Sequence, residues 1–173
     1  TACEFRTAHD VTLWPISIAA ARAFSYASDL PLGSIGLANR ARGGLRVKLA
    51  AQGGLSFDAL ACDQLDLYLS GPDEIAGPLH ELVASQCLDV LLVSCDSPPR
   101  LLARLGAGAV SAQGFDDAQA LLPHGRRSFQ GYRLLREYFA FPERFRFLRV
   151  SGLRDAFRRH ARGEVTRHRP RTR

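Results

Sequence analysis

The sequence predicts an α+β domain, made mainly of antiparallel strands in a sandwich-like arrangement with two principal helices. Strict alternation of apolar and polar residues predicts strands, because every second residue of a strand points to the same face. This alternation is found in GLRVKLAA at 44–51 and in LDLYLSG at 65–71. Apolar residues three and four positions apart predict helices at about 73–86 and 129–141.

The amino-terminal stretch is expected to be extended. Residues 2–26 are predicted to form strands, with Val11 and Leu13 in an alternating pattern that continues after Pro15 at Ile16 and Ile18. Proline has no amide donor, so we expect this strand to lie at a sheet edge or to carry a bulge. The stretch at 28–44 is rich in Gly, Ser, Asn and Pro, a composition that predicts a loop.

The middle of the chain is predicted to alternate between strands and helix. Acidic residues open the helix at 73–86, where they stabilise its amino terminus, and Pro78 predicts a kink or a restart. The apolar run at 88–95 predicts a strand buried on both faces. Within 97–120 we expect a strand pair broken at the segment GAG and a short helix at DDAQALL.

Residues 129–141 contain the densest aromatic cluster of the chain and are predicted to form a helix. Tyr132, Leu135 and Phe139 lie at positions i, i+3 and i+7, which places them on one apolar stripe. Pro142 disfavours helical angles at the residue before it, so we expect the helix to end near Ala140.

The polar residues around this helix are expected at its surface. Arg133 and Glu137 are four residues apart on another face of the helix, a spacing that predicts an ion pair on the solvent-exposed side. After Pro142, apolar residues from Phe145 onward alternate with arginines, including Arg144. That pattern predicts a half-buried strand with its arginines turned outward.

Two interpretations of the aromatic cluster remain open. The first is a core between helix and sheet, closed by Tyr132, Leu135, Phe139, Phe145 and Phe147. The second is an interface, since aromatic residues and Arg are the types that anchor protein contacts. The candidate protein-interaction residues are Trp14, Tyr132, Arg133, Glu137, Tyr138, Phe139, Phe141 and Pro142.

The net charge of +6 comes from the end of the chain. Residues 158–173 contain seven Arg and one acid, Glu164, so the preceding residues are net neutral. We therefore predict one domain at 1–157 and an Arg-rich disordered tail at 158–173. A nucleic-acid-binding module that acts through this tail is the alternative function, although we expect no nucleic-acid partner for the domain itself.

No catalytic, cofactor or metal site is predicted. The four Cys show no CxxC spacing, which gives no support to a zinc site, and the composition indicates free thiols in a reducing compartment. His9–Asp10 and His80–Glu81 are adjacent pairs without a nucleophile, and Cys95 has no neighbouring base. No apolar stretch is long enough to cross a membrane, so we expect a cytoplasmic protein without membrane insertion.

The sequence resembles the TssF family of bacterial type VI secretion systems. The resemblance is carried by SFQGYRLLREYFAFPERFRF at 128–147 and, in family order, by CEFRTAHDVTLWP, QLDLYLSG, LHELV and LLPHG. It covers residues 1–153 and a part of the family's longer chain. The chain departs from the family pattern at His124, Arg136 and Arg144, where an aromatic residue, Gln and Lys are expected.

The resemblance implies a structural role in the wedge of a baseplate that surrounds the hub of a contractile injection machine. Its implied partners are a TssG-like subunit, a second TssF copy, and TssK-like and TssE-like components. It implies no cofactor, no small-molecule substrate and no enzymatic reaction. The implied location is the cytoplasm, in a baseplate docked at the inner membrane.

Overall fold

A computed structural model describes residues 3–4, 7–25, 32–33, 35–37, 39–122 and 129–159. Within these residues the helices and strands follow one another as β1 (Ile16–Phe24), β2 (Gly44–Ala51), β3 (Gln64–Tyr68), α1 (Asp73–Gln86), β4 (Leu91–Val93), β5 (Leu101–Arg104), β6 (Val110–Ala112), α2 (Gln130–Ala140) and β7 (Phe147–Ser151). A further helix, α3, covers residues 153–159.

The chain divides into two compact units, each assembled from three separate segments. The first unit is Thr1–Leu13, Leu65–Cys87 and Val110–Val150. The second unit is Trp14–Gln64, Leu88–Ala109 and Ser151–Arg173.

The first unit is built on a three-stranded sheet in the order β3–β7–β6. Strands β6 and β7 pair antiparallel, with Val110 opposite Val150, and Leu148 of the central strand is buried. Asp66 on β3 accepts two hydrogen bonds from Arg149 on β7, at 2.7 and 2.8 Å. The contact between β3 and β7 therefore joins two segments of the chain that are 83 residues apart at this pair.

The second unit contains two antiparallel strand pairs, β1–β2 and β4–β5, and a small apolar core. A bulge between Ile18 and Ala20 shifts the register of β1. The rings of Phe57 and Phe157 pack with their centroids 4.9 Å apart. The core residues that are at least nine-tenths buried are Leu37, Leu60, Cys62, Ala103, Ala109, Leu153, Ala156 and Phe157.

The predicted α+β class is confirmed, with both principal helices and antiparallel sheets present. Helix α1 begins at Asp73 as predicted and continues without a restart through Pro78. Strand β2 has its predicted position, whereas β3 ends at Tyr68, before Leu69. The leucines and Val47 within the two strands are less exposed than the intervening polar residues. The bulge in β1, a strand paired on only one side within the described residues, agrees with the expectation from Pro15.

The predicted start of the first strand is wrong. β1 begins only at Ile16, so the alternating residues before Pro15 do not belong to it, and Leu13 is exposed. The amide of Ile16 donates a hydrogen bond to the Trp14 carbonyl at 2.7 Å, which closes a three-residue turn around Pro15. Because this turn redirects the backbone, alternation cannot continue from Val11 across Pro15 into the strand.

Three further predictions in the second half of the chain are corrected. Of the strand predicted at 88–95, only Leu91–Val93 (β4) forms a strand. Within the described residues, β4 pairs on one side with β5. β5 and β6 lie in different sheets, so they do not pair with each other. The segment DDAQALL forms a single 3₁₀ turn, Asp117–Gln119, whose preceding residue makes no side-chain cap.

Some predictions fall wholly or partly outside the described residues. The predicted loop at 28–44 is described only in part, and of the Arg-rich tail only residues 158 and 159 are described. The domain boundary at residue 157 therefore stays a prediction. Among the helices of the described residues, none combines the length and apolar character needed to span a lipid bilayer.

Candidate interaction site on helix α2

Helix α2 turns its apolar side outward and its charged side inward. The side chains of Arg133 and Glu137 are almost completely buried, with 4% and 2% of the residue exposed. On the other side of the helix, Phe139 is 81% exposed and Tyr132 is 66% exposed. This is the reverse of an ordinary surface helix, which faces the core with its apolar stripe.

The carboxylate of Glu137 is the centre of the buried side. Its Oε1 accepts hydrogen bonds from the backbone amides of Leu121 and Leu122, at 2.9 and 3.1 Å. Its Oε2 accepts a hydrogen bond from Nη1 of Arg133 at 3.1 Å and lies 3.5 Å from Nε of Arg144. One buried side chain thus binds the segment that precedes α2, the helix itself and the turn that follows it.

Arg133 extends this network to a neighbouring loop. Its Nη2 donates to the carbonyl oxygen of Phe115 at 3.2 Å and to Oε1 of Gln130 at 3.1 Å. The same nitrogen lies 3.5 Å from a carboxylate oxygen of Asp117, which is partly exposed to solvent. Two buried guanidinium groups therefore share one buried carboxylate, with a second carboxylate at the surface.

The environment shifts the pKa values of this network in directions that follow from its contacts. Burial alone would raise the pKa of Glu137, but the hydrogen bonds from Leu122, Leu121 and Arg133 outweigh it and hold that pKa below its ordinary value. Burial lowers the pKa of Arg144, and the neighbouring Glu137 opposes this effect. Glu137 is therefore ionised at neutral pH.

Two predictions about this helix are wrong and one is confirmed. The ion pair between Arg133 and Glu137 forms as predicted, but it lies in the interior instead of at the surface. The apolar stripe of Tyr132, Leu135 and Phe139 does not close a core, since each of these residues is more than half exposed. The physical reason is that two backbone amides of the preceding segment need a buried acceptor, which Glu137 supplies.

The start of the strand after the helix also differs from the prediction. Residues Pro142–Arg146 form a 3₁₀ turn, and the strand begins only at Phe147. Arg144 in this turn points inward and is 6% exposed, where the alternation predicted an outward side chain. Arg144 was therefore missed as part of the buried network, because no local pattern distinguishes an arginine that pairs with a distant carboxylate.

The exposed side chains form what we call the aromatic surface. The Phe129 and Tyr132 rings are 5.6 Å apart in an edge-on arrangement, and the Tyr138 and Phe139 rings are 5.7 Å apart. Every member of the surface is at least half exposed. Its members are Phe129, Tyr132, Leu135, Tyr138, Phe139 and Phe141.

An apolar cavity of about 250 Å³ lies beside the aromatic surface. Two of the side chains that line it, Leu135 and Tyr138, belong to that surface. The remaining lining residues are Phe115, Leu134 and Phe145. The centroid of the Phe145 ring lies 5.3 Å from that of Phe115 and 5.9 Å from that of Tyr138. The cavity is thus suited to an apolar group and presents no charged side chain to it.

The structure places the candidate interaction residues in three settings. Tyr132, Tyr138, Phe139 and Phe141 are brought together on the aromatic surface, and the exposed Pro142 follows them. Arg133 and Glu137 support the helix from the inside. Trp14 belongs to the second unit, where it is half-buried just before β1.

The possible metal ligands, the Ser94–Cys95 pair and the cysteines were the other candidate chemical groups among the described residues. They contain no group of three His, Cys, Asp or Glu side chains that could hold a metal ion. The Oγ of the buried Ser94, next to Cys95, accepts a hydrogen bond from the Arg100 amide at 3.0 Å, which is a structural role. The four cysteines form no disulfide with one another.

Exposed aromatic side chains such as those of α2 are among the residue types that anchor protein–protein contacts. The family model described as "Type VI secretion system, TssF" matches residues 1–168 of the chain. The chain is 46% identical over 160 residues to type VI secretion system component TssF1 of Pseudomonas aeruginosa (strain PAO1). These aligned residues make up 92% of the present chain and 25% of that protein. The chain belongs to the TssF family.

A solved structure has a similar fold. It is a cryo-electron microscopy structure of a TssK–TssF–TssG baseplate subcomplex of the type VI secretion system, and one of its chains superposes with a TM-score of 0.62 at 25% identity. The match covers 86% of the present chain and 25% of that chain. The present chain thus spans about a quarter of the length of the relatives it matches.

Proposed function

We propose that the chain is part of a structural subunit of the type VI secretion baseplate, and that the aromatic surface of α2 binds another baseplate subunit. The observation that carries the proposal is the inverted orientation of α2. Its charged side is buried inside the first unit, and its apolar side is exposed among the residues that the structure describes. A group of exposed large apolar side chains of this kind is expected to be covered in an assembly.

Membership in the TssF family supports the assembly part of this proposal. The solved relative is described in a subcomplex with TssK and TssG. We therefore propose TssG-like and TssK-like subunits as partners of the present protein. A second TssF copy, a TssE-like component, and a cytoplasmic baseplate docked at the inner membrane are further parts of the proposal.

The role is proposed to be scaffolding without catalysis. The buried network of Glu137, Arg133 and Arg144 fixes the helix from three directions. A helix held in this way presents its aromatic side chains in a defined arrangement before a partner arrives, which lowers the cost of binding.

The proposal is tested by co-expressing the protein with the TssG-like and TssK-like subunits of the same genome and measuring what co-purifies. The test variant is Phe139→Ser, because Phe139 is 81% exposed and makes no contribution to the core. Its matched control is Ile75→Ser on α1, which replaces another apolar residue of the same unit that is 65% exposed.

We expect Phe139→Ser to weaken binding about 10- to 100-fold, because burying a large apolar side chain contributes about 1.5–3 kcal/mol. Ile75→Ser is expected to leave binding unchanged, and both variants should unfold at the wild-type temperature. Wild-type affinity in a folded Phe139→Ser protein would remove the aromatic surface from the proposal.

A further inference from the structure

We draw no further inference here: the strongest candidate, the cluster of buried guanidinium groups of Arg133 and Arg144 on the inner side of α2, belongs to the network already described, and those of its nitrogen atoms that lack a hydrogen-bond partner among the described residues are fully enclosed, which leaves no room beside them for a ligand.

Discussion

Replacing Glu137 with Ala is expected to destabilise the first unit more than any other single replacement on α2. The change removes the acceptor of the Leu121 and Leu122 amides and leaves the buried charges of Arg133 and Arg144 without their shared carboxylate. Breaking a buried pair by removing one partner costs about 3–5 kcal/mol. The orphaned amides cost about 1–3 kcal/mol each by themselves, and the two effects overlap.

Hydrogen exchange followed by mass spectrometry is a suitable assay, because it reports the opening free energy of each segment separately. The only Trp, Trp14, lies in the second unit, so its fluorescence does not report directly on α2. A loss of about 3–5 kcal/mol corresponds to exchange that is roughly 10²- to 4 × 10³-fold faster in peptides covering residues 110–150. Exchange in peptides from β1 and β2 serves as the internal reference.

The control for this prediction is Glu81→Ala. Glu81 is an exposed residue of α1 in the same unit, and only its backbone carbonyl accepts a hydrogen bond, from Ser85. Surface replacements of this kind usually change stability by less than about 0.5 kcal/mol. If Glu137→Ala exchanged no faster than Glu81→Ala, the buried network would not stabilise the unit and the reasoning would be refuted.

Two further predictions follow from the charges of the first unit. The pKa of Glu137 is lower in the folded protein than its ordinary value of 4.5, so its stabilising effect should be complete above about pH 4.5 and should decrease as the pH falls through the folded pKa. Urea titrations of the wild type and Glu137→Gln should therefore converge at acid pH, and a constant difference down to pH 2 would contradict this. The exposed pair of Asp66 and Arg149 should show a coupling energy of only about 0.2–1 kcal/mol in a double-mutant cycle. A coupling above about 2 kcal/mol would show that this pair is not solvent-screened.

The sequence predicted the local structure of α2 closely and its orientation wrongly. Apolar spacing and Pro142 placed the helix at 129–141, and the structure has it at Gln130–Ala140. The spacing of Arg133 and Glu137 predicted their ion pair, which forms. The same spacing gave no reason to bury the pair, because the usual preference is to bury apolar side chains and expose charges.

Pairings between strands show a similar limit. Alternation placed β2 and β3, because the period of two is a property of each segment alone. It did not predict that β5 pairs with β4 while β6 pairs with β7. Such pairings depend on which segments meet, and nothing within a strand of three or four residues encodes its neighbour.

The sequence alone determined the class of the protein, the extents of α1 and α2, the two sides of α2 and the family to which the chain is similar. Only the tertiary structure decided which side of α2 is buried. That decision depends on the Leu121 and Leu122 amides and on Arg144, which converge on Glu137 from before and after the helix. A periodic pattern describes one helix, whereas the energy of burying a charge depends on partners that only the folded chain brings into contact.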